Sequence, residues 1–298
     1  MEVRSITEDQ LADLTNEHFE LAIHTLPIRK GGHTNQTQYW EFEHNIFLEH
    51  LAATVLKKLP VQQILTYTTF AGKVKTRWKD IIAYLLGILD KQQPDEQQLS
   101  DDLLQWLVEN DPMLLLKVEV TQVPPTLHNE IFKRIFQWSK QTTIWIDRYG
   151  DMQQLAAFGE TAGNIRYVFD EIADPQNHWR NRANAAELFF HFNLEKIPEP
   201  ERRQMAERYT ELILQQTDHH LLRFLVDHFP FTYIDLLDKI VNKVKYTEDK
   251  HVYSSLFRLI EKYELQDRYI SVLLNGLKKQ EKVTLQHPYS HIHKFLIV

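Results

Sequence analysis

The second half of the chain carries a recurring apolar stripe. Met205, Tyr209, Leu212 and Ile213 follow one another at three- and four-residue steps or their neighbours. So do Leu237, Ile240, Val241 and Val244, then Tyr253, Leu256, Phe257 and Ile260, then Ile270, Leu273, Leu274 and Leu277. Such positions share one face of a helix. The stripes predict helices at roughly 163–173, 177–193, 199–216, 218–229, 231–245, 248–264 and 266–280. Taken as pairs, they repeat about every 33 to 36 residues, the spacing of stacked helix pairs that bury each other's apolar faces. Strand-like alternation is scarce. Its best example, Lys117-Val118-Glu119-Val120-Thr121, is short and stops at Pro124-Pro125.

The expected fold is all-α: an α-α superhelix of HEAT-like helix pairs preceded by a helical region. Three parts are expected, an N-terminal helical segment at about 1–60, a helical region at about 61–160 and a HEAT-like array at about 161–298. Pro60, Pro112, Pro125, Pro175, Pro198, Pro200 and Pro230 stand before or at helix starts, where a missing N–H costs little. Asp101, Thr126, Asp218 and Thr247 are the expected N-caps. The segment Trp179-Arg180-Asn181-Arg182 with Ala185-Ala186 reads as a HEAT-type second helix, in which arginine and small side chains allow tight stacking.

Composition narrows the chemistry. There are 8 glycines in 298 residues, where an average chain would carry about 21. No GxGxxG, P-loop, GxSxG or HExxH motif is present. A doubly wound dinucleotide fold, a P-loop NTPase core and an α/β-hydrolase are therefore disfavoured for these residues. Cysteine is absent, which removes disulfides, thiolate metal sites and cysteine nucleophiles. The net charge of −7 supplies no general attraction for nucleic acid or anionic lipid. The N-terminus lacks the apolar stretch of a signal peptide, and no apolar run approaches the roughly 20 residues of a membrane span. A cytoplasmic protein without membrane contact is expected. The last residues, Phe295-Leu296-Ile297-Val298, are apolar where natural ends become polar, so a fragment of a larger protein is expected.

The most specific stretch is Phe42-Glu43-His44-Asn45-Ile46-Phe47-Leu48-Glu49-His50-Leu51-Ala52-Ala53, of the form FxHxxFxExLAA. It resembles the end of the winged-helix part of NACHT-type STAND NTPases, where a similar string opens a long helix. The segments Trp78 to Leu89 and Leu104 to Pro112 extend the likeness, which covers residues 40 to 112 best. The resemblance implies that His44 matches the winged-helix histidine that lies against the β-phosphate of bound ADP and helps hold the off state. Leu48 stands where glutamine is frequent and His50 where an aromatic is usual. The nucleotide-binding core is missing from these 298 residues, so within this chain His44 reads as a partly buried histidine bonded to a backbone carbonyl. ATP or ADP and Mg belong to the implied parent. This chain itself is expected to hold no cofactor.

Other constellations have plain readings. Glu41/His44 and Glu248/His251 match the Glu-x-x-His unit of di-iron bundles but lie in dissimilar segments. His287, His291 and His293 have no acidic residue between His287 and Val298 to complete a zinc site, and both they and His219, His220 and His228 read as surface or tail histidines. Asp101/Asp102 read as helix-start charges rather than an acid–base pair. Arg180, Arg182, Arg202, Arg203 and Arg208 form the densest arginine region and are the candidates for partner binding. Interleaved glutamates favour a salt-bridged face for them instead. Trp106, Trp138, Trp145 and Trp179 are expected to fill spaces between helices, since a stacking platform would need several exposed.

The expected function is non-catalytic: a sensor or regulatory helical arm of a STAND-type NTPase that binds a protein partner. Nucleic acid is disfavoured, and the resemblance implies oligomerisation on activation. A stand-alone α-solenoid interaction scaffold is the alternative. An all-helical metal enzyme is the remoter one.

Overall fold

The computed structural model describes residues 5–7, 28–34, 37–42, 45–146 and 152–276. The chain divides into two compact units, Met1–Leu127 and His128–Val298. Among the described residues the fold is all-α in class, with small sheets confined to the first unit.

The first unit opens on strands, β1 (Ser5–Thr7), β2 (Ile28–Thr34) and β3 (Thr37–Phe42), in an antiparallel sheet of order β1-β3-β2. Residues 1–60 are therefore helical only from α1 (Asn45–Leu56) onward among those described. β3 reads Thr-Gln-Tyr-Trp-Glu-Phe, rich in the aromatic types that suit a pleated surface. Gly31 and Gly32 sit where the β2–β3 register shifts between Lys30 and His33. After α2 (Val61–Thr68), a hairpin pairs β4 (Thr69–Phe70) with β5 (Lys73–Val74) through Ala71 and Gly72. Both turn residues have positive φ, +48° and +74°, as a tight hairpin requires.

α3 (Lys79–Ile88) packs on α1, and α4 (Pro94–Asn110) on α2, around Ile64, Ile82, Leu85, Leu104 and Val108. The buried Asp111 carboxylate accepts from the Val74 amide at 3.2 Å and faces Lys73 and Lys79 at 3.9 and 3.8 Å. It thereby ties the hairpin to the end of α4. The Lys117–Thr121 alternation does not make a strand. It bridges two 3-10 turns, Pro112–Lys117 and Val120–Gln122, and buries Val118.

The second unit is made of helices: α5 (Pro125–Thr142, from His128 on), α6 (Met152–Phe158), α7 (Ala162–Ala173), α8 (Trp179–Phe190), α9 (Glu199–Gln215), α10 (His219–Asp227), α11 (Ile234–Val244) and α12 (Lys250–Lys262). From α7 to α12 these follow the boundaries expected from the stripes to within a few residues, while the expected helix at 266–280 runs partly outside the described residues. Sequential neighbours pack as pairs, α7 with α8, α9 with α10 and α11 with α12. Alternate helices also pack: α7 on α9 and α9 on α11, then α6 on α8, α8 on α10 and α10 on α12. Ala183, Ala185 and Ala186 are fully buried on α8, which lets its neighbours approach closely. Arg182 on the same helix donates to the Ile172 carbonyl at the end of α7 at 2.8 Å.

Side-chain caps start several helices. Asp218 accepts from the His220 and Leu221 amides, as expected. Asp249, rather than Thr247, caps α12, and Thr161 and His178 cap α7 and α8. Asp101 and Thr126 lie inside helices, because Pro94 and Pro125 start those helices earlier.

Scarce glycine has a consequence at the end of α5. Thr143 takes the left-handed conformation there, φ +53°, which costs a β-branched residue roughly 1–2 kcal/mol. Thr143→Gly is expected to raise unfolding free energy by about 1 kcal/mol in urea titration, after glycine's extra chain entropy is offset. Gly159 is the opposite case, since a Cβ there would run into the buried Phe132 ring. Gly159→Ala is expected to lower stability by about 1–3 kcal/mol in the same titration.

Candidate partner-binding surface

The surface is assembled by α8 and the segment following α5. Asn181 and Asn184, one turn apart on α8, donate to the carbonyls of Lys140 at 3.1 Å and Ile144 at 2.8 Å. Lys140 is itself paired to Glu171 of α7 at 2.6 Å. These bonds hold Trp145 beside the start of α8, where its ring lies 6.1 Å from that of Trp179. Trp145 also stacks on Phe224 of α10 at 4.8 Å, and Trp179 stacks on His220 at 5.4 Å. Trp145, Trp179 and Phe224 remain half-buried, while His178 and His220 are exposed. The rings therefore form a continuous cluster that reaches solvent, rather than only filling space between helices.

Two guanidinium groups flank these rings. Arg180 lies 5.4 Å from the Trp179 ring centre and Arg223 lies 4.7 Å from that of Phe224, within cation–π range. Arg180 is exposed and Arg223 half-buried. Neither has an ion-pair partner among the described residues.

The other expected arginines are engaged within the chain. Arg203 forms a two-pronged pair with Asp235 at 3.0 and 2.6 Å, and a second with Glu207 at 2.9 Å. Its guanidinium is held more firmly protonated by these bonds, first Asp235 and then Glu207. Arg202 pairs with Glu199 through Nε at 2.9 Å. Arg208 lies over Phe169 at 5.1 Å and 4.0 Å from Asp170. Arg182 is partly buried, and that burial lowers its pKa. Among the described residues, Arg180 is the member of the expected set whose guanidinium has no hydrogen-bond or ion-pair partner. Arg223 was not in that set, and its signal in sequence is only the Arg223-Phe224 pair four residues after His219-His220.

An open groove of about 730 Å³ lies on the same unit, lined by Phe190, Phe231, Tyr233, Arg202, Glu199 and Lys262 among others. Lys262 is exposed as a residue, yet its Nζ lies 3.8 Å from the centre of the Phe190 ring and donates to the Phe229 carbonyl at 2.9 Å. Burial of the amine brings its pKa down to about 8, against the opposing pull of Asp227. Tyr263 donates to the same carbonyl at 2.7 Å, so these two side chains pin the end of α12 to the end of α10.

His44 lies outside the described residues, as do His287, His291 and His293. Among the described residues no group of three or more His, Asp or Glu is placed to hold a metal ion. No described helix is long and apolar enough to cross a membrane. Comparison of the chain with protein-family models, curated proteins and solved structures finds no match in any of the three.

Beneath the ring cluster, His228 stacks on Phe224 and meets Phe190 edge-on, and its Nδ1 lies 3.0 Å from the Phe224 carbonyl. Burial lowers its pKa below the ordinary histidine value; Asp227 and the Phe224 carbonyl oppose this, while His191 and Lys262 reinforce it. The unfolded chain therefore binds a proton here more readily than the folded one, so stability is full above about pH 6.5 and is lost as pH falls. Thermal melts between pH 7 and pH 5 are expected to show a falling midpoint, and His228→Gln is expected to flatten that acid limb.

Proposed function

We propose that the chain is a non-catalytic helical arm of a STAND-type NTPase, and that its second unit binds a protein partner. The observation that carries the binding part is the half-buried ring cluster flanked by two guanidiniums without an ion pair among the described residues, on an array whose other described arginines are engaged within the chain. Stacked helix pairs present an extended surface, and the alternate packing of α6 to α12 is the packing pattern that a HEAT-like array would have. The link to an NTPase rests on the FxHxxFxExLAA string. It gains support from the sheet that precedes it, because an antiparallel order β1-β3-β2 followed by a helix suits the end of a winged-helix domain. In this reading His44 senses ADP supplied by a parent nucleotide core, with Mg, in the cytoplasm. Partner binding then biases the switch, and a differential affinity of a few kcal/mol is sufficient. Oligomerisation on activation belongs to the same proposal.

The DNA upstream of codon 1 tests the NTPase link. An in-frame coding segment with a P-loop is the expected result. A promoter and start site serving Met1 directly would overturn it and favour a stand-alone helical scaffold.

A further inference from the structure

We infer that the Trp145–Trp179–His220–Phe224 surface reads an acidic protein segment, with carboxylates on Arg180 and Arg223 and an apolar side chain laid against the rings between them. This rests on the reading of the second unit as a partner-binding arm, and does not depend on the NTPase link.

Charge matching elsewhere on the unit makes these arginines distinctive. Arg134, Arg166, Arg202, Arg203, Arg208, Arg258 and Arg268 each face a carboxylate, several through two nitrogen atoms. Arg166 and Glu201 are 35 residues apart, Arg203 and Asp235 are 32 apart, and Arg258 and Asp227 are 31 apart. The fold thus matches guanidinium to carboxylate from one helix pair to the next. Arg182 is the remaining exception and is spent on the Ile172 carbonyl. Arg180 and Arg223 break the pattern together, on α8 and α10, at rings joined through Trp145. A guanidinium binds a carboxylate through two parallel N–H bonds, and among the described residues no carboxylate occupies either fork. Half-buried rings beside a fork exclude water and strengthen such a bond, and they offer a neighbouring apolar side chain a surface to cover.

The number of cations selects the ligand. A nucleic-acid backbone is typically held by about six to ten basic contacts. At these rings two arginines stand without an ion pair among the described residues, and the chain's net charge of −7 repels a long polyanion. Two forks separated by rings fit two carboxylates flanking an apolar residue.

The probe is an acetylated and amidated hexapeptide, Glu-Leu-Glu-Phe-Glu-Leu, with its glutamine counterpart and a twelve-residue oligothymidylate as comparisons. Binding is read from the indole N–H resonances, those of Trp145 and Trp179 being assigned by Trp→Phe variants. The acidic peptide is expected to shift these two signals, and the glutamine peptide to bind about tenfold weaker or less. Arg180→Gln and Arg223→Gln are each expected to weaken the acidic peptide roughly tenfold, and added salt to weaken it further. Equal binding of the two peptides would overturn the inference, and that comparison needs no variant. So would the absence of any shift, unchanged binding by both folded variants, or tighter binding of the oligothymidylate at the same rings. None of these results bears on the upstream reading frame, so failure here and failure of the NTPase link are separate outcomes.

Discussion

Phe189 is the contact on which the second unit most depends. It is fully buried on α8, and its ring meets Phe169 of α7 at 5.5 Å, Tyr209 of α9 at 6.2 Å and Phe231 ahead of α11 at 6.0 Å. One side chain therefore joins its own helix pair to the next pair and to the segment leading into the one after. Tyr209 and Phe229, both fully buried, continue the chain of rings, with centres 5.6 Å apart. Each buried aromatic of this kind is worth about 1.5–3 kcal/mol of transfer free energy. No helix here could bury its stripe alone, because each is short and amphipathic. The stripe of one pair is covered by the next, and this repeated need produces the alternate packing of helices.

That packing also arranges the charges. Once the apolar stripes are buried, polar positions on adjacent pairs fall opposite one another, and arginines meet carboxylates some thirty residues away. Solvent screens such exposed pairs, so they align the helix pairs more than they stabilise them. Their larger consequence is subtractive. Among the described arginines of this unit most are matched to carboxylates and Arg182 is held by a carbonyl, so Arg180 and Arg223 define a surface, and both lie on the aromatic cluster that Asn181 and Asn184 position.

The helices after residue 160 were legible because their stripes are long and clean and several starts are marked by proline. Arg182 beside a run of alanines likewise signalled a closely packed helix, and its bond to the Ile172 carbonyl shows the use of that arginine. The first sheet was not legible. β1 and β2 are short and polar, and their pairing depends on β3 rather than on a local pattern of their own. Asp101 and Thr126 misled as caps because a proline at the first helical position sets the start regardless of the polar residue that follows. Among the arginines, density along the chain pointed to Arg202, Arg203 and Arg208, the very residues the fold neutralises. Arg223 stands alone in sequence and carried no such signal.

Sequence by itself determined the helical class, the positions of the helices after residue 160 and the absence of glycine-built phosphate motifs. These follow from local periodicity, proline placement and composition, which act over a few turns of chain. Tertiary structure alone decided which arginines are free, where rings reach solvent, and that His228 is half-buried against Phe190. Each of these depends on partners about thirty or more residues away. Whether a guanidinium finds a carboxylate at that distance is settled by how the helix pairs pack, not by the residues beside it.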